Sequence, residues 1–354
     1  EPGYLIGGVP LDLPGGNQLG NISAPFVIEG DEYDSAFFDK RSKFIHYRPR
    51  VLILNNLEFD HGDIFRDLPD ISRSFSHLLR IVPANGFILR NGDDPNLLAL
   101  PEASWTNLLS VGTGAGNDLT IQDFEEDATG SRFNLFWRGE KVTQVSWQMP
   151  GLFNARNLSM AILASALIQQ NRDERELSVD LFHAVASVDF SKCQGVKRRQ
   201  EVLLDNPTLT ILSDFAHHPT AIRGALESLK ARYPDRRIIA CFEPRSNTAV
   251  TNVFQDQFAD ALSLADEALI GEVHRAERIP MDKRINPAEM VEFISQKSGF
   301  ADAFQSNREL GQNLFQRLSQ NQFTDTLMVF FSNGSFDGVI QDFVKQANSS
   351  LHLS

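Results

Sequence analysis

The sequence predicts an α/β protein with two domains, each built around a mainly parallel sheet. Short apolar runs bounded by polar turns recur along the chain, and from residue 203 onward they alternate regularly with helical patterns. The 354 residues are 42% hydrophobic and 22% charged, which suits roughly two to three domains with sizeable cores. Because the acidic excess is concentrated in residues 1–195, we place the domain boundary between residues 195 and 196.

Charge, hydropathy and cysteine content exclude several classes of protein. The formal net charge is −13, which is the wrong sign for binding a nucleic-acid backbone. The longest apolar stretch, residues 160–168, is far shorter than the roughly 20 residues that cross a bilayer, and we see no signal peptide. Cys193 and Cys241 match neither a disulfide framework nor a zinc motif. We therefore expect a cytoplasmic protein that contacts neither nucleic acid nor membrane.

Two short apolar runs are predicted as strands of the first domain. Phe26–Ile28 and Val51–Leu54 have the composition of strands buried on both faces of one parallel sheet. Polar residues follow each run directly, at 29–32 and at 55–56. Because open α/β sheets bind ligands at the carboxyl ends of their strands, we expect these polar residues to border a binding site.

The first domain also contains a predicted antiparallel sheet and a buried helix. Residues 119–121, 133–137 and 141–147 have strand patterns, and we expect them to form a small antiparallel appendage. Residues 157–169 are rich in Ala, Leu, Ile and Met and contain no Gly or Pro. This composition predicts a buried helix that is entered through Asn154.

The second domain is predicted to be a doubly wound parallel sheet. Strand patterns occur at 209–213, 238–242, 267–270 and 327–331. Helical patterns occur at 221–232, 252–264, 287–297, 309–318 and 338–347. Polar residues again follow the strands, at Asp214, at 243–248 and at 332–334, where sheets of this class bind their ligands.

A run of carboxylates in the first domain is a candidate metal site. It consists of Glu29, Asp31, Glu32 and Asp34. These groups repel one another, so they either form a solvated loop or include ligands to a cation, as Asp60 and His61 after the next predicted strand suggest. Mg²⁺ keeps waters or phosphate oxygens, so one carboxylate and one imidazole would form a partial site. Taken alone, His61 is more typical of a hydrogen-bonded structural histidine.

His217 and His218 are the candidate polar pair of the second domain. They follow Asp214 at a strand-to-helix junction, where the first-turn amides of a helix attract anions. The same residues also fit an ordinary turn and helix start. Nearby, Arg198 and Arg199 can hold a phosphate or a carboxylate, or remain solvated.

Five short motifs follow one another in a fixed order along the chain. They are EGDEYD at 29–34, NNLEFDH at 55–61, GLFNARN at 151–157, RR at 198–199 and DFAHHPT at 214–220. In this order they resemble the Mur ligase family of ATP-dependent amide ligases. Three further stretches most resemble the branch of that family that recycles murein peptides: YDSAFFDKRS at 33–42, EPRSNT at 243–248 and SNG at 332–334.

The resemblance implies a fold for each half of the chain. Residues 1–195 would form a truncated Mur-ligase central ATPase domain with a parallel sheet plus a small antiparallel sheet. Residues 196–354 would form a Rossmann-like C-terminal ligase domain. The family's N-terminal domain and phosphate loop have no counterpart here, since no GxxxxGK[ST] motif occurs. We therefore expect this polypeptide alone to show no ATP-dependent ligation.

The resemblance also implies roles for particular residues. The implied Mg²⁺ ligands are Glu29 and His61, with Asp60 beside them. The residues implied to bind ATP are Asn154, Asn157, Arg199, Asp214 and His218. The implied catalytic residues are Glu29, His61, Arg199 and His217, and either His217 or His218 is a candidate base. The residues implied to hold the incoming peptide are Arg245, Ser246, Asn247, Asn333 and Ser335.

By the same resemblance, the substrates are ATP, UDP-N-acetylmuramate and the murein tripeptide L-alanyl-γ-D-glutamyl-meso-diaminopimelate. The muramate carboxylate would be activated as an acyl phosphate, from which the peptide amine displaces phosphate. Two alternatives are ligation of L-alanine to the same nucleotide sugar and a non-catalytic nucleotide-binding module. A metal-dependent hydrolase using 60–61 and 217–218 is disfavoured, because these pairs fall in separate predicted domains.

Overall fold

The chain folds into two compact α/β units. The computed structural model describes residues 1–170, 177–297 and 299–351. Unit 1 is Glu1–Val196, and unit 2 is the chain from Lys197 onward. No helix in these described ranges is long and apolar enough to cross a membrane.

Unit 1 begins with short strands outside its main sheet. They are β1 (Gly3–Leu5), β2 (Asn17–Gln18) and β3 (Phe26–Ile28), in the sheet order β2-β1-β3, followed by the hairpin strands β4 (Asp34–Ala36) and β5 (Asp39–Ser42). The expected burial of β3 is wrong, because Phe26 and Val27 are 51% and 55% exposed. β3 is an edge strand of this small sheet, so the prediction that it shares a sheet with Val51–Leu54 is also wrong.

The main sheet of unit 1 has six strands, parallel at one end and antiparallel at the other. They are β6 (Val51–Leu54), β7 (Phe87–Asn91), β8 (Asn107–Gly112), β9 (Leu119–Asp127), β10 (Gly130–Trp137) and β11 (Glu140–Trp147), in the order β11-β10-β9-β8-β7-β6. The predicted antiparallel strands at 119–147 are confirmed, but they extend the main sheet and are not an appendage to it. Val111 pairs with Leu119 in parallel, which joins the antiparallel strands to β6, β7 and β8.

Helices cover both faces of this sheet. Those of unit 1 are α1 (Leu68–Arg80), α2 (Pro95–Leu98), α3 (Leu152–Gln169) and α4 (Val179–Ala186). Because side chains alternate along a strand, Phe87 and Leu89 of β7 belong to the core shared with α3 and α4, and Ile88 belongs to the core shared with α1. The predicted buried helix is confirmed and starts near Asn154, as expected.

Unit 2 contains a second six-stranded sheet. Its strands are β12 (Glu201–Asp205), β13 (Leu209–Asp214), β14 (Arg237–Phe242), β15 (Glu267–Ile270), β16 (Phe300–Ala303) and β17 (Thr326–Phe331), in the order β12-β13-β17-β14-β15-β16. β12 is antiparallel to its neighbour, and the other strands are parallel. The helices are α5 (Pro219–Arg232), α6 (Gln255–Leu262), α7 (Pro287–Lys297), α8 (Asn307–Ser319) and α9 (Val339–Leu351).

The predicted doubly wound arrangement of unit 2 is confirmed. Ile238, Ala240 and Phe242 of β14 belong to the core formed with α5, α6 and α7. Ile239 and Cys241 belong to the core formed with α8 and α9 on the other face. The five parallel strands, β13, β14, β15, β16 and β17, therefore end at one edge of the sheet, which we call the carboxyl edge.

Candidate functional site

The four carboxylates at 29–34 do not share a common volume. Each has its own partner: Glu29 accepts from the Gly7 amide at 2.6 Å, Asp31 pairs with Lys43 at 3.0 Å, Glu32 with His61 at 2.6 Å and Asp34 with Lys40 at 2.7 Å. Separate partners relieve the repulsion that a shared site would create. Among the described residues, no group of three or more His, Cys, Asp or Glu side chains is arranged to hold a metal ion.

His61 is the centre of the interactions at this loop. Its Nε2 lies 2.6 Å from Glu32 Oε1, its amide donates to Asp60 Oδ1 at 2.7 Å, and the Tyr33 ring meets it edge-on at 4.6 Å. The hydrogen bond to Glu32 raises the pKa of His61 against the effect of burial, and the charges of Asp60 and Asp63 act in the same direction. A metal ion bound at this imidazole would have to displace the proton.

The chemistry around His61 fits a partial Mg²⁺ site. Mg²⁺ commonly takes one or two protein ligands, because waters and phosphate oxygens complete its shell. The carboxylate in contact with His61 belongs to Glu32, whereas Glu29 is bonded to the Gly7 amide. The assignment of Glu29 and His61 as metal ligands therefore stays a prediction. Glu32 is added to it as the residue that holds the His61 imidazole in place.

The first turn of α3 brings together two predicted ATP residues. The Asn154 side chain donates to the Pro150 carbonyl at 2.7 Å and accepts from the Asn157 side chain at 3.4 Å. The Asn55 side chain, directly after β6, donates to Asn157. The strand end and the helix start thus form one polar group.

Asp93 fixes the neighbouring loops, and sequence reasoning missed it. Its carboxylate accepts from the Thr113 amide at 2.7 Å, the Gly114 amide at 3.1 Å and the Arg156 guanidinium at 3.2 Å. Partial burial acts to raise the pKa of Asp93, but these hydrogen bonds hold it below its ordinary value. Its position just after the apolar residues of β7 could have indicated it, because parallel sheets bind ligands at the carboxyl ends of their strands.

Gly151 sets the geometry at the start of α3. Its φ is +87°, and an added Cβ would lie 2.3 Å from the Phe153 ring. We expect Gly151→Ala to lower the free energy of unfolding by about 1–3 kcal/mol and to raise the Kd for ATP, because Asn154 would shift. Chemical denaturation and ATP titration measure the two effects.

Gly116 provides the matched control for that substitution. An added Cβ there would meet no atom within 4 Å. Gly116→Ala should change stability by less than about 0.5 kcal/mol. Equal stability of the two alanine variants would contradict the role given to Gly151.

In unit 2, Asp214 is a buried residue that holds backbone in place. It is 5% exposed, and its two oxygens accept from the Ala216 amide at 2.7 Å and the Gln200 amide at 2.9 Å. Burial raises its pKa, and the hydrogen bonds act against that shift. Its predicted contact with ATP stays a prediction, and its observed contacts shape the loop that carries the two histidines.

The ring of Phe215, in this loop, contacts Arg198 and Arg199, which precede β12. The guanidinium groups of Arg198 and Arg199 lie 5.2 and 5.1 Å from its ring centroid, within cation–π range. The His217 ring meets Phe215 edge-on at 5.3 Å, whereas the His218 ring meets Phe254 at 5.0 Å. Arg199 and His217 therefore both contact Phe215, whereas His218 contacts a different ring.

The carboxyl edge of unit 2 contains a buried carboxylate, Glu243, directly after β14. Its side chain is 1% exposed. Oε1 accepts from Asn307 at 2.9 Å and Arg245 at 3.2 Å, and Oε2 accepts from the Ser332 hydroxyl and, at 3.4 Å, the Phe336 amide. One carboxylate thus ties together the loops after β14 and β17 and the start of α8.

Two of the predicted peptide-binding residues, Arg245 and Asn333, lie in the loops that Glu243 joins at this edge. Arg245 lies against Gly334, where an added Cβ would fall 2.2 Å from its Cδ. Asn333 is half-buried, and its Oδ1 accepts no hydrogen bond within the described part of the chain. Ser246 accepts from the Ala249 amide at 3.0 Å. The remaining two, Asn247 and Ser335, are exposed.

The profiles of two protein-domain families match the chain. The Mur ligase middle domain matches residues 23–165, and the Mur ligase, glutamate ligase domain matches residues 198–329. The first range lies in unit 1 and the second in unit 2. These matches confirm the predicted fold class.

Similar proteins cover most of this chain. A UDP-N-acetylmuramate–L-alanyl-γ-D-glutamyl-meso-2,6-diaminoheptandioate ligase from Haemophilus influenzae is 36% identical over 347 residues, which is 96% of this chain and 69% of the relative. The ligase of the same name from Escherichia coli is 41% identical over 276 residues, 76% of this chain and 56% of the relative. The crystal structure of a murein peptide ligase from Psychrobacter arcticus is 32% identical, with a TM-score of 0.64, and covers 98% of this chain and 71% of that one.

Proposed function

This chain belongs to the Mur ligase family, and from that premise we propose that the protein carrying it joins UDP-N-acetylmuramate to the tripeptide L-alanyl-γ-D-glutamyl-meso-diaminopimelate. The observation that carries the proposal is the 36% identity, over 96% of this chain, to a ligase named for these two substrates. Since the tripeptide is a piece of murein, we place the reaction in peptidoglycan recycling. The chain spans 56–71% of the similar proteins described above, so the proposal concerns the whole gene product that contains it.

An amide bond between a carboxylate and an amine requires activation in water. In the proposed reaction, ATP phosphorylates the muramate carboxylate, and the alanyl amine then displaces phosphate from the acyl phosphate. When bound, Mg²⁺ supplies positive charge to the phosphate oxygens. The chain's residues bind the reactants, orient them and exclude water that would hydrolyse the activated carboxylate.

Unit 1 is proposed to bind ATP and the metal ion. The amide side chains of Asn154 and Asn157, linked to each other at 3.4 Å, are suited to the polar edge of a nucleotide base. Glu29 and His61 are proposed to hold Mg²⁺, with Glu32 fixing the imidazole.

Unit 2 is proposed to bind phosphate oxygens and the peptide. Arg199, held over Phe215, offers a planar guanidinium that suits a phosphate. His217 is the candidate to accept the proton of the attacking amine, because its loop is fixed by Asp214. Arg245 is suited to one of the peptide carboxylates.

The proposal predicts phosphate release that depends on both substrates to be joined. The gene product, given ATP, Mg²⁺ and UDP-N-acetylmuramate, should release phosphate with the tripeptide at least about tenfold faster than with equimolar L-alanine. Mass spectrometry should show the nucleotide sugar gaining the tripeptide less one water.

The control reactions omit one substrate at a time. A preference for L-alanine would instead identify the alanine-adding activity. ATP binding without phosphate release under any of these conditions would support a non-catalytic module and contradict the proposal.

A further inference from the structure

The segment that leads from β7 into α2, residues 91–96, holds the loop that follows β6, residues 55–61. Asp94 Oδ2 accepts from the Leu57 amide at 2.9 Å. The Asn96 side chain donates to the Leu57 carbonyl at 2.7 Å. Both polar backbone groups of Leu57 are therefore bonded to side chains of one neighbouring segment, which fixes the backbone of the loop at this residue.

The carboxylate of Asp94 has a second role in the same segment. Its other oxygen, Oδ1, accepts from the Asn96 amide at 2.8 Å and the Leu97 amide at 3.0 Å. These are the bonds of a helix N-cap, and they belong to α2, which has only four residues. One carboxylate thus joins the start of α2 to the loop after β6.

The points of attachment on both sides are buried. Leu57 and Leu97 are each 1% exposed and belong to the core that α1 covers. Asn91, at the end of β7, is 6% exposed, and its side chain donates to the Asn55 carbonyl at 3.0 Å. Because packed side chains support these hydrogen bonds, the segment can fix the loop firmly.

The loop held in this way has a proposed reactant-binding contact at each end. Asn55, its first residue, donates to Asn157, which is proposed to bind ATP. His61, its last residue, is the proposed metal ligand that Glu32 holds. Leu57 lies between the two. A shift of about 1 Å in groups that position reactants can lower a reaction rate by as much as about 100-fold.

We infer that Asp94, together with Asn96, is a positioning residue of the ligase. It holds Leu57 so that both ends of the loop at 55–61 keep their places beside the bound reactants. The inference rests on the proposed function and extends it to two residues outside the sequence motifs. Both residues act through the backbone of Leu57 and not by touching a reactant.

Asp94→Ser separates the two roles of the carboxylate. Serine is a good N-cap, but its short side chain cannot bond the first turn of α2 and the Leu57 amide together. In the full gene product, kcat for ligation should fall about tenfold. The KM for the tripeptide should stay within about twofold, because unit 2 is proposed to bind the peptide. Asn96→Ala, which removes the donor to the Leu57 carbonyl, should give the same split.

Hydrogen exchange, followed by mass spectrometry without ligands or metal, tests the hold on the loop directly. In Asp94→Ser, the peptide that covers residues 55–61 should exchange at least about tenfold faster than in the wild type. The peptide that covers β14 in unit 2 should exchange at the wild-type rate. Unchanged exchange at 55–61 would overturn the inference, because Leu57 would then be held without Asp94.

Asp67→Ser is the matched control. Asp67 is the N-cap of α1, in the same unit, and it accepts from the Asp70 amide at 2.9 Å. The variant should leave kcat and the exchange of residues 55–61 within about twofold of the wild type. An equal fall in kcat for Asp67→Ser and Asp94→Ser would overturn the inference, since loss of any helix cap in unit 1 would then have the same effect.

Failure of the proposed function gives a different result from failure of this inference. If the wild type does not ligate the tripeptide but ligates L-alanine, the proposed function is wrong and kcat is compared for L-alanine. If it ligates neither, the Kd for ATP replaces kcat, and Asp94→Ser should raise it at least about fivefold. In either case, faster exchange at 55–61 without the accompanying change in kcat or Kd would overturn the inference.

Discussion

Replacing His61 with alanine is expected to lower kcat for ligation by about 100-fold or more, the scale seen when a group that supports transition-state charge is removed. The imidazole is half-buried, fixed by Glu32 at 2.6 Å and packed against Tyr33. Alanine removes both the proposed metal ligand and the centre of this contact group. Initial rates of phosphate release at saturating ATP, nucleotide sugar and peptide measure the loss.

Magnesium titration separates the two glutamates near His61. If Glu29 is a metal ligand, Glu29→Gln should raise the Mg²⁺ concentration for half-maximal rate at least about tenfold. If Glu32 only orients the imidazole, Glu32→Gln should raise it less, because the ring can still reach the ion. The opposite ranking would transfer the ligand role to Glu32, the carboxylate that the structure brings onto His61.

Asp34→Asn is the control for removing a negative charge from this loop. Asp34 pairs with Lys40 at 2.7 Å on an exposed hairpin, and exposed ion pairs contribute little to stability. The variant should keep the wild-type rate and Mg²⁺ dependence. A wild-type rate for His61→Ala at all Mg²⁺ concentrations would refute the metal assignment.

In unit 2 the sequence predicted the central strands and missed those at the sheet edges, whereas in unit 1 it predicted the edge strands β6 and β11 and missed the central strands β7 and β8. β13, β14, β15 and β17 have central positions and long apolar runs, so their patterns are unambiguous. β12 and β16 are edge strands with exposed residues, and their sequences, EVLLD and FADA, do not stand out from loops. Likewise, a run of three apolar residues such as β3 is compatible with both an edge strand and a central strand. Its pattern therefore could not show which sheet it belongs to, and the sheet was assigned wrongly.

The site could be predicted only where neighbouring residues along the chain act together. The pairing of Asn154 with Asn157 follows from their spacing on one helix face. The choice of Glu32 over Glu29 as the partner of His61 depends on loop conformation, including the left-handed φ of +53° at His61. The bond between Glu243 and Asn307 joins residues 64 positions apart, and no local pattern encodes such a contact.

Glu243→Gln is expected to raise the KM for the tripeptide about tenfold and to lower the free energy of unfolding by about 2–4 kcal/mol. The groups that face this carboxylate are all hydrogen-bond donors, from Arg245, Asn307, Ser332 and the Phe336 amide. A glutamine amide has the same shape, but its NH₂ would point at a donor and Arg245 would lose its anionic partner. Arg245 would then no longer be held in position for the peptide.

Glu267 provides a control that separates stability from peptide binding. It is also 1% exposed and is held by Arg237 at 2.8 Å and Arg317 at 2.6 Å, but it starts β15 and so lies at the opposite edge of the same sheet. Glu267→Gln should lower the free energy of unfolding by a similar amount and leave the KM for the tripeptide unchanged. Denaturation curves and steady-state kinetics on both variants measure this. An equal rise in KM for both variants would mean that loss of stability, not displacement of Arg245, weakens peptide binding.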